Sequence, residues 1–209
     1  HAALAGDLDR HLYLLSRHPE IEARLHRELS DVLGGRAPRA EDVPKLRYTR
    51  MVLDEALRLY PPAHTLSRQA VAADEVSGHR IPAGASIYIV PWLLHRHRDL
   101  WHQPDRFDPE RFAPERSADR HRFAYIPFGA GPRICIGAVF AITEAVLILT
   151  TIAQRYRLNI GTIVDADMVT VRLVRSRRSR AGVPRGGRII GEVEEYFIET
   201  LTPGDTFVF

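Results

Sequence analysis

The stretch that most constrains this chain is Phe128-Gly129-Ala130-Gly131-Pro132-Arg133-Ile134-Cys135-Ile136-Gly137, which holds the only cysteine in 209 residues. Its glycines describe a tight loop, and the residues after it, Ala138 to Tyr156, are apolar nearly all round. That pattern predicts a loop feeding a long helix buried in a core. A thiolate held by such a loop, with the next backbone turning into a helix N-terminus, suits an axial ligand for a haem iron. Free cysteine is also among the most buried residue types, so an ordinary core role for Cys135 stays open on this stretch alone.

A single cysteine excludes an internal disulfide framework and suits a reducing cytosol, so a cytoplasmic setting is expected. No run of about 18 or more apolar residues is present and no signal peptide is visible, so no membrane span is expected. With 45% hydrophobic and 26% charged residues, the chain is of ordinary globular composition, sized for one large domain or two small ones. Of 29 basic residues only Lys45 is lysine. Arginine suits planar, bidentate pairing with carboxylates and propionates.

Helical spacing of Leu8, Leu12 and Leu15 predicts the end of a helix over residues 4–16. Pro19 opens a second helix with Ile21, Leu25, Leu29 and Val32 or Leu33 on its apolar face, acidic Glu20 and Glu22 in its first turn, and Gly34-Gly35 as its stop. A third helix runs from Tyr48 to Tyr60 and ends at Pro61-Pro62. Within it Glu55 and Arg58 share a face, which by spacing alone reads as a solvent-exposed pair. Residues 66–90, broken by Ser77-Gly78 and Pro82-Ala83-Gly84, read as short strands in hairpins. His95 and His97 lack further ligands at zinc-like spacing and read as ordinary surface histidines. Residues 101–127 read as a long ordered loop anchored by Phe107, Phe112 and Phe123. Beyond Tyr156 strand pairs are expected, with seven arginines and no acid between Arg172 and Arg188.

Taken together, Phe128 to Gly137 fits the Phe-x-x-Gly-x-Arg-x-Cys-x-Gly signature and resembles the cytochrome P-450 family of haem-thiolate monooxygenases. Glu55-Ala56-Leu57-Arg58 followed by Tyr60-Pro61-Pro62 resembles the family's Glu-x-x-Arg helix, and Pro109-Glu110-Arg111-Phe112 its Pro-Glu-Arg-Phe element. His95-Arg96 through Trp101, and Tyr13 to Pro19, are also family-like. The resemblance covers roughly residues 4–156. It implies the mainly α C-terminal half of that fold with small β-hairpins, a partial haem domain over residues 1–156, and a β-rich, arginine-rich tail over 157–209.

The resemblance implies haem b (iron protoporphyrin IX) as cofactor, with Cys135 as the iron's thiolate ligand. Gly129, Gly131 and Gly137 would let backbone come close to the macrocycle and the sulfur. Arg133 and Arg68 would pair with propionates, and Phe128 would limit water at the sulfur. Glu55, Arg58 and Arg111 would form a buried structural charge triad, and Ala63 to Leu66 would lie along the substrate pocket. The implied reaction inserts one atom of dioxygen into a small organic substrate, with electrons from a redox protein, a ferredoxin or a flavoprotein reductase.

Two departures accompany the match. The family's oxygen-activating helix carries an acid–alcohol pair, whereas the corresponding places hold Ala2, Ala3 and Leu4. The portion N-terminal to that helix is lacking, so the chain reads as the proximal half of such an enzyme, and a catalytically inactive remnant of truncation and fusion is the alternative. The tail, through Asn159 to Val164, Gly191 to Phe197 and Leu201 to Phe207, resembles part of the large Lhr-type helicases and their ligase-associated DEXH-box relatives. No phosphate loop or helicase acid motif occurs, so no ATPase is expected. Nucleic-acid binding through the arginines is the most distant reading, and a membrane partner is not expected.

Overall fold

The computed structural model describes residues 10–160 and 171–175. In chain order the elements are α1 (residues 10–16), α2 (Pro19–Leu33), a 3₁₀ turn Ala40–Lys45, α3 (Arg47–Leu59), β1 (Leu66–Gln69), β2 (Asp74–Val76), β3 (His79–Ile81), β4 (Ser86–Ile89) and α4 (Pro91–Leu94). There follow a 3₁₀ turn Pro109–Phe112, α5 (Pro114–Ser117), a 3₁₀ turn Gly131–Arg133, α6 (Ala138–Arg155), β5 (Tyr156–Ile160) and β6 (Val171–Arg175). The chain is mainly helical with small antiparallel sheets, and two compact units divide it: Met51–Ile142 is one, and the described residues before and after it make the other.

In the discontinuous unit, α2 begins at Pro19 with Glu20 and Glu22 in its first turn, where acidic charge favours the helix dipole. It ends where Gly34 takes a left-handed φ of 54° and donates its N–H to Ser30 O at 2.9 Å. Ile21, Leu25, Leu29 and Leu33, four apart, form its buried row, and Leu12, Leu14 and Leu15 of α1 are also buried. Glu28 caps α3: its carboxylate accepts from Tyr48 N (2.6 Å), Thr49 N (2.8 Å) and Thr49 Oγ1 (2.7 Å), groups that a helix's first turn leaves without intrahelical partners. Glu22 Oε1 accepts from Leu158 N at 2.9 Å, tying α2 to β5. β5 pairs antiparallel with β6, Tyr156 opposite Arg175. Apart from residues 157–160 and β6, the tail, including most of its helicase-like segments and of its arginine run, lies outside the described residues.

In the unit Met51–Ile142, β1 pairs antiparallel with β4, Leu66 opposite Ile89, around the hairpin formed by β2 and β3. The β2–β3 turn is Ser77-Gly78, with φ of 50° and 80° at both residues, the mirror-image turn that suits strand twist. Val71 lies outside the strands and is fully exposed. The long loop contains two short helical pieces, Pro109–Phe112 and α5. Phe107 is buried as expected and Phe112 stacks on Tyr125, but Phe123 is exposed beneath the Arg122 guanidinium. Ala124 and Ile126, on either side of Tyr125, are buried instead.

The expectation of a helix buried in a core holds for one side of α6 only. Ala141, Ile142, Ala145, Val146, Leu149 and Ala153 are buried, while Val139 and Phe140 are 80% and 62% exposed. By length and composition alone α6 is also apolar enough to cross a bilayer, with mean hydropathy 1.4 over 18 residues. Scanning for unbroken apolar runs misses this, because Thr143, Glu144 and Thr150 interrupt the run without cancelling its average. Its buried row is that of a core helix.

Replacing Glu28 with Ala removes the cap on α3 and is expected to lower the stability of the full chain by about 1–2 kcal/mol. Urea unfolding followed by circular dichroism measures this, and an unchanged midpoint would mean the cap contributes nothing.

Candidate functional site

The C-terminal part of α3 places Glu55 and Arg58 one turn apart, and both are completely buried, so the exposed-pair reading of their spacing does not hold. Arg58 Nε meets Glu55 Oε2 at 2.7 Å and Arg58 Nη2 meets Oε1 at 2.9 Å, a bidentate pair. Arg111, from the Pro109–Phe112 turn, brings Nε to 3.2 Å from Glu55 Oε1, which also accepts from Asp108 N at 2.9 Å. The remaining guanidinium N–H groups go to backbone. Arg58 donates to His95 O (2.7 Å) and Arg106 O (3.2 Å), and Arg111 to Gln103 O (2.7 Å) and to His102 O. Burial pushes Arg111 below its ordinary pKa while Glu55 pulls it up, and an arginine there keeps its charge.

His95 is the residue that spacing failed to flag, since it is not on the surface but fully buried. The amide of Ile126 donates to His95 Nε2 at 2.9 Å, which leaves that nitrogen as an acceptor and puts the ring proton on Nδ1, 3.2 Å from Arg58 O. Burial, with the Arg58 and Arg96 charges adding to it, pushes the imidazole down to about 4. His97, by contrast, is exposed. Tyr125 stacks near the His95 ring at 5.4 Å and donates its hydroxyl to Asp54 O at 3.0 Å. Trp101, also buried, carries Arg58 and Arg120 at 5.0 and 4.5 Å from its ring centroid. Only the family-like stretch from His95 to Trp101 hinted at these partners.

The segment fixed by Ile126 leads directly into the cysteine loop. Gly129 N donates to Ile126 O (3.0 Å), Ile134 N to Gly131 O (3.1 Å) and Cys135 N back to Phe128 O (3.0 Å), which closes the loop. Gly129 and Gly131 adopt φ of +77° and +71°, so glycine is needed there for backbone conformation. A Cβ at Gly129 would touch only Leu66 Cδ1 at 3.6 Å and Arg133 O at 3.8 Å, so the start of β1 lies against the loop. Gly137 sits beside the sulfur, its added Cβ 3.9 Å from Cys135 Sγ.

Cys135 is exposed, which removes the ordinary buried role. Around it Ile134, Ile136, Val139 and Phe140 are exposed as well, Ile136 completely. Such a run of apolar side chains meets water unless something apolar covers it. Phe128 is half-buried. Arg133 and Arg68 are exposed; Arg68 donates to Ser67 O at 2.7 Å, and no bond joins the two. Among the described residues no group of three or more His, Cys, Asp or Glu could hold a metal ion. The donor set fits a flat, apolar, metal-bearing macrocycle with acidic substituents.

A cytochrome P450 family model matches residues 7–177. The chain is 50% identical over 146 residues to cyclooctatin synthase of Streptomyces melanosporofaciens, covering 70% of this chain and 32% of that protein. It is 42% identical over 170 residues to pentalenene oxygenase of Streptomyces avermitilis, covering 81% and 37%. Human cytochrome P450 4V2 is 40% identical over 158 residues, covering 75% and 30%. The chain thus spans about a third of the length of these curated relatives.

Two outcomes are expected of the buried network. Glu55→Ala strands two guanidinium groups and should destabilise the unit by roughly 3–5 kcal/mol, read by denaturant unfolding; a shift of a few tenths would contradict its buried, bonded state. His95 holds its proton less tightly when folded (about 4) than at its ordinary 6.5. Between those values the unfolded chain binds more protons, so this group's contribution, complete above 6.5, is lost as pH falls through the window. As pH falls through this range the unfolding midpoint of wild type should drop relative to that of His95→Gln, which has no imidazole to protonate.

Proposed function

Because the chain belongs to the cytochrome P450 family, we propose that it supplies the proximal face of a haem-thiolate monooxygenase, with Cys135 as the axial ligand of haem b. The observation that carries this reading is the exposed thiol on a loop closed by the Cys135 N–Phe128 O bond and rimmed by exposed Ile134, Ile136, Val139 and Phe140. When bound, the haem iron supplies the activation of dioxygen by which one oxygen atom enters an organic substrate.

The chain's own residues do the holding. The left-handed turns at Gly129 and Gly131 present the sulfur at the surface, and the apolar rim packs against the macrocycle and excludes water from it. Phe128, whose carbonyl accepts from Cys135 N, limits water at the sulfur, and the thiolate's electronic properties are set by what surrounds it. Arg133 and Arg68, exposed and without ion pairs among the described residues, bind the two propionates. The Glu55–Arg58–Arg111 triad fixes the chain from His95 to Arg111 through its backbone carbonyls. Ala63 to Leu66 border the substrate, Leu66 being the residue that touches the loop at Gly129.

The relative named pentalenene oxygenase supports an apolar, terpene-like substrate, and a ferredoxin or flavoprotein reductase is the proposed electron donor.

The full chain supplied with haem, reduced and exposed to carbon monoxide, should give a Soret band at the thiolate position, and Cys135→Ser should abolish it. A histidine-type band, or no retained haem, overturns the assignment.

A further inference from the structure

We infer that His95 is a positioning residue for the cysteine loop, its neutral imidazole holding the entry to that loop against the C-terminal end of α3. This deepens the haem-thiolate reading and rests on it for its functional meaning, while the geometry stands on its own. The ring is used at both nitrogens: Nδ1–H donates to Arg58 O and Nε2 accepts from Ile126 N. The backbone of the same residue is used too, because His95 O accepts from Arg58 Nη1 at 2.7 Å. Arg58 and His95 thus exchange side-chain and main-chain hydrogen bonds, and the imidazole is the member of this pair that reaches outward, to Ile126. No other side chain among the described residues bonds the backbone between Ile126 and Cys135.

From Ile126 two short steps reach the thiol. Ile126 O accepts from Gly129 N, and Phe128 O, just beyond it, accepts from Cys135 N. The loop has little else to define it, since Gly131 through Ile136 are exposed and Gly129 and Gly131 are free to take other conformations in its absence. An anchor at the loop's entry therefore determines how closely the thiol is held. A hydroxyl or an apolar side chain at position 95 cannot replace it, because the acceptor must sit at the distance of Nε2 and a buried amide without an acceptor is unfavourable. Among smaller side chains Gln sets an oxygen near the place of Nε2, whereas Asn reaches only the place of Nδ1.

The test uses the full chain and four variants: His95→Phe, His95→Gln, His95→Asn and, as a control destabilised elsewhere, Glu28→Ala. Amide hydrogen exchange at Ile126 and Cys135 is read in each, and the haem-supplied samples are read for the thiolate-type band with carbon monoxide. His95→Phe and His95→Asn should speed exchange at both amides by about tenfold, the worth of one lost hydrogen bond, and should shift the band towards the form lacking the thiolate. His95→Gln should restore both readings, and Glu28→Ala should leave the loop amides and the band as in wild type. Wild-type protection in His95→Phe, or equal behaviour of Gln and Asn if the Phe variant does not fold, overturns the inference. So does loss of loop protection in Glu28→Ala to the same degree. If wild type itself gives no thiolate band while the exchange pattern holds, the haem reading fails and the positioning role stands.

Discussion

One carboxylate shared by two arginines organises the unit Met51–Ile142. Glu55, Arg58 and Arg111 are buried, and removing three charges from water is expensive unless every hydrogen-bonding site finds a partner. The partners are main-chain carbonyls at His95, His102, Gln103 and Arg106, all in a stretch with almost no regular structure. Such a stretch has the opposite difficulty, carbonyls that no helix or strand satisfies. The guanidinium forks resolve both problems at once. A long segment can consequently pack against α3 without forming secondary structure, and Phe107, Trp101 and Tyr125 bury apolar surface around it.

The order imposed on that segment extends to the cysteine. Tyr125 bonds Asp54 and Ile126 bonds His95, so two successive residues at the entry of the loop are tied to α3 or its partner. Past that point the chain has only its own turns to rely on, and the thiol is presented at the end of a loop whose apolar side chains face outward. In the proposed function this exposure is the purpose of the design: the site is half of an interface whose other side is the macrocycle.

The first turn of α6 shows the same division. Its buried row is spaced as a core helix requires, yet Val139 and Phe140 are turned out beside the thiol. A helix that is apolar all round can serve two surfaces, and here one is the protein core while the other is proposed to be the haem.

The sequence alone determined the longer helices, the β2–β3 hairpin and the cysteine loop, because each is specified locally. Pro19, Glu20 and Gly34 mark the ends of α2, Ser77-Gly78 the hairpin turn, and Gly129 and Gly131 the left-handed turns of the loop. The family resemblance carried the residues of the triad, whose Glu-x-x-Arg spacing by itself pointed to a solvated pair. Only the tertiary structure decided that His95 is buried and bonded through both nitrogens, that Phe123 faces out, and that α6 leaves one side uncovered. The reason is physical: burial and hydrogen bonding of these side chains depend on residues about 30 positions away, as with Ile126 and His95, and no local spacing encodes which distant backbone group will stand opposite.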